Sequence, residues 1–226
     1  EAATAGAAWR VGIGPWRGSG DTEPSVPEGF QIVTFRPASG WIPPAAMAVT
    51  IQPSTPNLAS GQYREPGSVV QWGATICDQI PFPPELGVDC NVPWPNAACV
   101  AVAAGNLSLG LRADGGVDRW GFGFDFGDAQ PPAAEAIAIA IGDHAAALLS
   151  DGTIVRWRQN WPAAPPLTGT DFVAVAVGEG FGIGLRATGA VVTWGTNQWG
   201  QQNVPAPNAN FVAVAAGHLR CLGLKT

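Results

Sequence analysis

The chain has 226 residues and a net charge of −6, and it contains 30 glycines, 21 prolines and only 12% charged residues. Gly and Pro disrupt helix interiors, so this composition favours short strands joined by turns. The acidic balance argues against binding to a phosphate backbone, which requires Lys and Arg. No apolar run reaches the ~18 residues of a membrane span. We therefore expect an all-β protein with no nucleic-acid partner and no membrane span.

The first 98 residues carry the least regular part of the sequence pattern. Segments 5–13 and 29–35 match the two halves of one unit, and we assign them to a repeat over 1–45. The alternating segment 47–51 and the segment 64–73 are assigned to the next repeat, over 46–98. Alternation of apolar residues with small or polar ones is the period of two expected of strands.

An extended connector follows in the same repeat. There are 17 residues between Gly73 and Asn91, against 7 between Gly195 and Asn203 in a later repeat. A disulfide between Cys77 and Cys90 would close this extra loop and remove conformational freedom from a segment without core contacts. The spacing differs from the C-x-x-C of metal and redox sites, so zinc is not expected.

The clearest repeats cover 99–135, 136–171 and 172–210, and a half repeat covers 211–226. Trp157 lies 37 positions after Trp120, and Trp194 lies 37 positions after Trp157. Each unit is predicted to contain about four short strands, joined by turns such as Asp151-Gly152. So few strands cannot bury their own faces, and neighbouring units must therefore stack. This predicts a β-propeller of about five to six short four-stranded blades, with a linear β-solenoid as the rival architecture.

The repeated segments resemble a known family. Five features together resemble the regulator-of-chromosome-condensation repeat. They are the run Phe211–Gly217, the strand ending at Lys225, the Asp-Gly turns, the Val-x-x-Trp-Gly motif and the connector 196–205. The short period resembles its bacterial branch, which includes a secreted propeller that inhibits β-lactamases. The resemblance is close over 67–226 and weaker over 1–66. It implies a propeller with a macromolecule-binding surface of loops, but not one particular function, because members of one fold differ in function.

The repeat count departs from the seven blades usual in that family. Five repeats and a half leave ring closure open, with both ends carrying the same first half of a repeat. A cropped fragment, a degenerate blade and completion by another chain are the three explanations. The last of these would leave strand edges available for pairing between molecules.

Aromatic residues fall into two groups. The tryptophans at the repeated position, such as Trp194, are predicted to pack between blades. Aromatic residues in the connectors lie among Gly, Pro, Asn and Gln, where packing alone does not demand a large ring, so they are candidates for partner binding. These candidates are Trp94, Phe126, Trp161 and Trp199. The alternative is that they fill gaps between adjacent blades.

The remaining reactive residues do not suggest catalysis. Cys99 and Cys221 fall on predicted strands, either as buried free thiols or as a second disulfide with each other. His144 and His218 are the only histidines and lack a third ligand, so we expect no metal and no cofactor. No Gly-x-Ser-x-Gly nucleophile motif occurs. We therefore expect a protein that is not an enzyme.

These observations predict a secreted, non-catalytic binding module that engages a protein partner through connector loops on one face. An even number of cysteines favours an oxidising compartment, so the predicted location is extracellular or periplasmic, with the signal peptide already removed. The alternatives are a structural subunit that self-assembles by pairing incomplete terminal blades, and a propeller that binds carbohydrate.

Overall fold

The computed structural model describes residues 6–36, 38, 41, 43–44, 46–52, 57, 59–63, 92, 99–105, 107–121, 135–157 and 167–226. These residues form fifteen short strands and no helix. In chain order they are β1 (Ala8–Val11), β2 (Arg17–Gly18), β3 (Gly29–Arg36), β4 (Met47–Ile51), β5 (Cys99–Ala104), β6 (Ser108–Arg112), β7 (Val117–Trp120), β8 (Ala136–Ile141), β9 (Ala145–Leu149), β10 (Ile154–Trp157), β11 (Phe172–Val177), β12 (Phe181–Arg186), β13 (Val191–Gly195), β14 (Phe211–Ala216) and β15 (Cys221–Lys225).

The strands form five antiparallel sheets. Three are meanders of three consecutive strands, β5-β6-β7, β8-β9-β10 and β11-β12-β13, and β14-β15 is a two-stranded sheet. The first sheet has the order β2-β1-β3-β4. Each sheet from β5 onward is followed in the chain by the next, which is the arrangement of blades in a β-propeller. The predicted all-β propeller class is thus confirmed.

The turn between the second and third strands of each meander also joins it to the next sheet. The second turn residue is Gly115, Gly152 or Gly189, each with a positive φ of 78–85° that glycine adopts at little steric cost. Its carbonyl accepts a hydrogen bond from the first amide of the following sheet, at 2.9 Å for Ala136, 3.0 Å for Phe172 and 2.9 Å for Phe211. A local turn signal in the sequence therefore also positions the neighbouring blade.

Apolar clusters fill the spaces between successive sheets. One lies between the β5-β6-β7 and β8-β9-β10 sheets and includes Leu109, Leu111 and Trp157. The next includes Leu148, Phe172 and Trp194. A third lies between β11-β12-β13 and β14-β15, and Ile32 of β3 belongs to it as well. The core is therefore divided among the contacts between sheets, as the predicted stacking of repeats requires.

The meander of 172–195 has three strands where four were predicted. The next connector contains Pro205 and Pro207, which lack the N–H that a strand ladder needs. The side chain of Asn208 instead makes the hydrogen bonds that a fourth strand would make. Its Oδ1 accepts from the amide of Val191 at 2.8 Å, and its Nδ2 donates to the carbonyl of Val191 at 2.9 Å. One side-chain amide thus replaces a strand at the outer edge of the sheet.

The N-terminal sheet includes a strand from beyond residue 45. Strand β4 pairs with β3 over five residue pairs, from Gly29 opposite Ile51 to Val33 opposite Met47. Segment 47–51 therefore belongs to the first sheet, while the division into repeats 1–45 and 46–98 stays a prediction. Alternation of side chains identifies a strand but not the strand beside which it lies.

Candidate binding surface

The tryptophans at the repeated position are structural. Trp120 and Trp157 are the last residues of β7 and β10, Trp194 is the last but one of β13, and all three are buried. Each lies opposite a small residue of the adjacent strand, Ser108, Ala145 or Gly182. The fourth member of this series, Trp72, lies outside the described residues. The three described rings are therefore parts of the core, as the sequence predicted.

His144 takes part in the same packing. The side chain is completely buried, and its Nδ1 lies 2.7 Å from Oδ1 of Asp143. Its Nε2 accepts a hydrogen bond from Nε1 of Trp194. His218, by contrast, is exposed and pairs with Glu179. Across the described ranges, no group of three His, Cys, Asp or Glu side chains is placed to hold a metal ion.

Among the connector aromatics, the structure places one. The side chain of Trp199 is 71% exposed, the most exposed large apolar side chain among the described residues. Trp94, Phe126 and Trp161 lie outside the described residues, so their predicted role in binding stays a prediction. An indole ring exposed to water to this extent contributes little to the core, which favours a binding role over gap filling at this position.

The loop that presents Trp199 is held by its own amide side chains. Gln201 is buried, and its Oε1 accepts from the backbone amide of Trp199 at 2.9 Å. Oδ1 of Asn197 accepts from the amide of Gln202 at 2.8 Å, and Nδ2 of Asn197 donates to Oδ1 of Asn203 at 3.3 Å. These bonds replace the ladder that a strand would supply. The exposed ring is therefore carried by an ordered segment of backbone.

A groove of about 310 Å³ lies beside this loop. Trp199, Val204 and Pro205 form one side, and residues of β15 with the turn before it form the other. Two of the residues on the second side, Leu219 and Leu222, are themselves 38% and 64% exposed. These leucines were not among the predicted binding residues, because strand alternation predicts a buried side chain at position 222. Their exposure is visible only once the neighbours of β15 are known.

Both described cysteines are free thiols. Sγ of Cys221 lies 3.4 Å from the carbonyl oxygen of Gln201, to which it donates a hydrogen bond. Burial raises the pKa of the Cys221 thiol. Burial, followed by the nearby Asp118, also raises the pKa of Cys99. Of the two alternatives, the structure has the free thiols and not the Cys99–Cys221 disulfide. Cys77 and Cys90 lie outside the described residues, so their disulfide stays a prediction.

A larger cavity, about 1170 Å³, lies along the N-terminal sheet and was not predicted from the sequence. Val33, Phe35 and Ile51 line it together with the acidic residues Asp21 and Glu23. The Tyr63 hydroxyl, another part of its lining, lies 2.7 Å from the carbonyl oxygen of Arg36. Burial raises the pKa of this hydroxyl. No local sequence pattern marks the cavity, because its walls come from six separate segments of the chain.

Comparison with known proteins gives distant structural likenesses. No protein-family model and no curated sequence matches the chain. Within the described residues, no helix is long and apolar enough to cross a membrane. The chain is similar to the CRINKLY WD40 ectodomain of the Arabidopsis thaliana receptor kinase ACR4, with 22% identity and a TM-score of 0.48 over 56% of this chain and 46% of that one.

Two further structures are similar to a comparable degree. Prp20p from Saccharomyces cerevisiae, described with its binding to Gsp1p and histones, has 16% identity and a TM-score of 0.44 over 59% of this chain and 45% of that one. Human WBSCR16 has 16% identity and a TM-score of 0.48 over 94% of this chain and 61% of that one. The chain thus spans about half the length of the solved structures it matches. At these identities and scores the likenesses carry no conclusion about partner or activity.

Proposed function

We propose that this chain is a secreted, non-catalytic propeller module that binds a protein partner through aromatic side chains of its connector loops. The observation that carries the proposal is the 71% exposure of Trp199 on a loop held by hydrogen bonds. Trp94, Phe126 and Trp161 are proposed to act in the same way from the other connectors. An extracellular or periplasmic location is part of the proposal and rests on the cysteine content and on the resemblance to the secreted bacterial branch.

The physical support is the low cost of ordering this site on binding. A tryptophan buries a large area while losing only two side-chain torsions, and aromatic residues dominate many interface energies for this reason. The loop backbone is already bonded through Gln201 and Asn197, so little further ordering is required when a partner docks. Leu219 and Leu222 extend the apolar surface next to the ring.

Charge contributes to the choice of partner. The chain carries a net charge of −6, so the long-range field favours the approach of a basic protein. Such steering acts mainly on the association rate and weakens as salt screens the charges. The affinity itself is expected to come from the apolar contacts around Trp199.

The test is photo-crosslinking from the loop. A photoreactive phenylalanine analogue at position 199 is compared with the same analogue at Ile13, an apolar residue in the turn after β1 that is 63% exposed. A partner crosslinked at position 199 and absent at position 13, whose yield is competed by the unmodified chain but not by Trp199→Ala, supports the proposal. Equal labelling at both positions, or full competition by Trp199→Ala, would contradict it. Selective signals on a glycan array would instead favour the carbohydrate alternative.

A further inference from the structure

The four sheets from β5 onward share a square of side chains on their first two strands. Each square consists of two cross-strand pairs, in which two alanines of the first strand lie opposite two aliphatic residues of the second. The squares are Ala101, Ala103, Leu109 and Leu111; Ala138, Ala140, Ala146 and Leu148; Ala174, Ala176, Ile183 and Leu185; and Ala213, Ala215, Leu222 and Leu224. The same flat apolar surface therefore occurs four times.

The second-strand residues are buried in three of these squares and exposed in the fourth. The second-strand residues of the first three squares are at most 3% exposed. In the fourth, Leu222 is 64% and Leu224 is 63% exposed, and both alanines are exposed as well. We call the surface formed by Ala213, Ala215, Leu222 and Leu224 the trailing face. The equivalent second-strand residues are buried in the other three described sheets, so their exposure on the trailing face indicates a contact surface.

The structure also shows what covers the other three squares. In each case it is the opposite face of the next sheet's first strand, through Ile139 and Ile141 of β8, Val175 and Val177 of β11, or Val214 and Ala216 of β14. The equivalent residues of β5 are Val102 and Ala104. Val102 is 61% exposed and Ala104 is exposed too. We call the surface formed by these two residues the leading face.

The chain thus carries both halves of a contact that it makes three times internally. The two halves lie on different sheets, and each is open to solvent. We propose that the trailing face of one copy of this chain docks on the leading face of a second copy, repeating the contact between its own blades. The fit follows from the repeat: the alanines that let sheets approach closely inside the chain are also present on the trailing face.

This contact uses a different face on each copy, so it is heterologous. Contacts of this type either close into a ring or continue as an open chain of subunits. A contact of the trailing face with another trailing face would be isologous and would stop at a dimer. The proposal therefore predicts how variants of the two faces behave alone and together.

The test places one charge on each face of the 226-residue chain. Leu224→Asp blocks the trailing face, and Val102→Asp blocks the leading face. Ile13→Asp is a matched control on an exposed apolar residue in the turn after β1. Molar mass is measured by light scattering and by sedimentation equilibrium over a range of concentrations. Each altered side chain is exposed, so each variant should keep the thermal transition and near-ultraviolet spectrum of the dilute parent chain.

The parent chain and Ile13→Asp are expected to associate as concentration rises. Leu224→Asp and Val102→Asp alone should each associate more than about tenfold more weakly. An equimolar mixture of these two variants should form a one-to-one dimer and nothing larger, since one intact pair of faces remains. A parent chain that stays monomeric, association retained by Val102→Asp, or a mixture that stays monomeric would each overturn the proposal.

The trailing face shares Leu222 with the groove beside Trp199, so the test changes Leu224 instead. Leu224 does not line the groove beside Trp199, so Leu224→Asp leaves the residues of that groove unchanged. The crosslinking test at position 199 and the mixing test can therefore succeed or fail separately.

Discussion

The indole nitrogen Nε1 of Trp194 donates a hydrogen bond to Nε2 of His144, 3.1 Å away and 50 residues earlier in the chain. The acceptor role of Nε2 assigns the ring proton to Nδ1, which donates to Oδ1 of Asp143 at 2.7 Å. Trp194 and His144 belong to neighbouring repeats, 172–210 and 136–171, so this bond ties one blade to the next. It also fixes the orientation of the Trp194 ring between the two sheets.

Replacing His144 with Ala should lower the free energy of unfolding by about 2–4 kcal/mol, because it removes the acceptor of a buried indole and opens a cavity. Urea denaturation followed by tryptophan fluorescence measures the change. His218→Ala is the control, since that histidine is exposed and should change stability by less than about 0.5 kcal/mol. Equal effects of the two substitutions would contradict a structural role for the His144–Trp194 bond.

Gly182 lies under the ring of the same tryptophan. A Cβ added there would lie 2.1 Å from Cζ2 of Trp194, and the ring is held by His144. Gly182→Ala should therefore cost about 1–3 kcal/mol through overpacking. Gly217→Ala is the matched control, because its nearest neighbour would be 3.9 Å away. Differential scanning calorimetry compares the two, and unchanged stability of Gly182→Ala would show that the ring can move.

The N-terminal sheet is attached to the blades by two kinds of contact. The first is apolar: Ile32 is 2% exposed and belongs to the third apolar cluster. The second is an ion pair between Arg36 and Glu135, whose side chains are both partly exposed. Ile32→Ala should cost about 2–4 kcal/mol, and Arg36→Ala less than about 1 kcal/mol. Hydrogen exchange at the amides of β1 and β3 should accelerate more in Ile32→Ala than in Arg36→Ala. A larger loss from Arg36→Ala would show that charge pairing dominates this attachment.

The thiols of Cys99 and Cys221 should react slowly with iodoacetamide. Burial raises the pKa of both thiols above the ordinary value of 9.0, so the reactive thiolate is scarcer at neutral pH than in an unfolded chain. Peptide mapping should show slow alkylation that accelerates above pH 9 and in urea. Because the folded state favours the protonated thiols, their contribution to stability is present below pH 9 and is lost as pH rises through the raised pKa values. Rapid alkylation at pH 7 would contradict this.

Much of the blade structure was predictable because its signals are local. The Asp-Gly turn before Thr153, the alternation in Phe172–Val177 and the 37-residue spacing of Trp157 and Trp194 each reflect backbone preferences or side-chain periods within a few residues. The exposed ring of Trp199 was also predictable, since a large aromatic residue among Gly, Asn and Gln has no partner within its own segment. The burial of Trp157 and Trp194 then followed from the stacking of neighbouring repeats.

Other features depend on which elements become neighbours. The alternation of Met47–Ile51 marks a strand, but only the structure pairs it with Gly29–Arg36. His144 and Trp194 are each ordinary in sequence, and their bond exists because two repeats stack. The replacement of the predicted fourth strand by Asn208 was likewise not predictable, since an asparagine in a loop gives no sign of its hydrogen-bond partner.

The sequence by itself determined the all-β class, the 37-residue spacing and the burial of Trp120, Trp157 and Trp194, because these depend on local periods and residue types. Only the tertiary structure decided that Leu222 and Leu224 are exposed while their equivalents Ile183 and Leu185 are buried. The residue types at these positions are nearly the same. Burial depends on whether another sheet lies against the strand, and that is a property of the assembled fold.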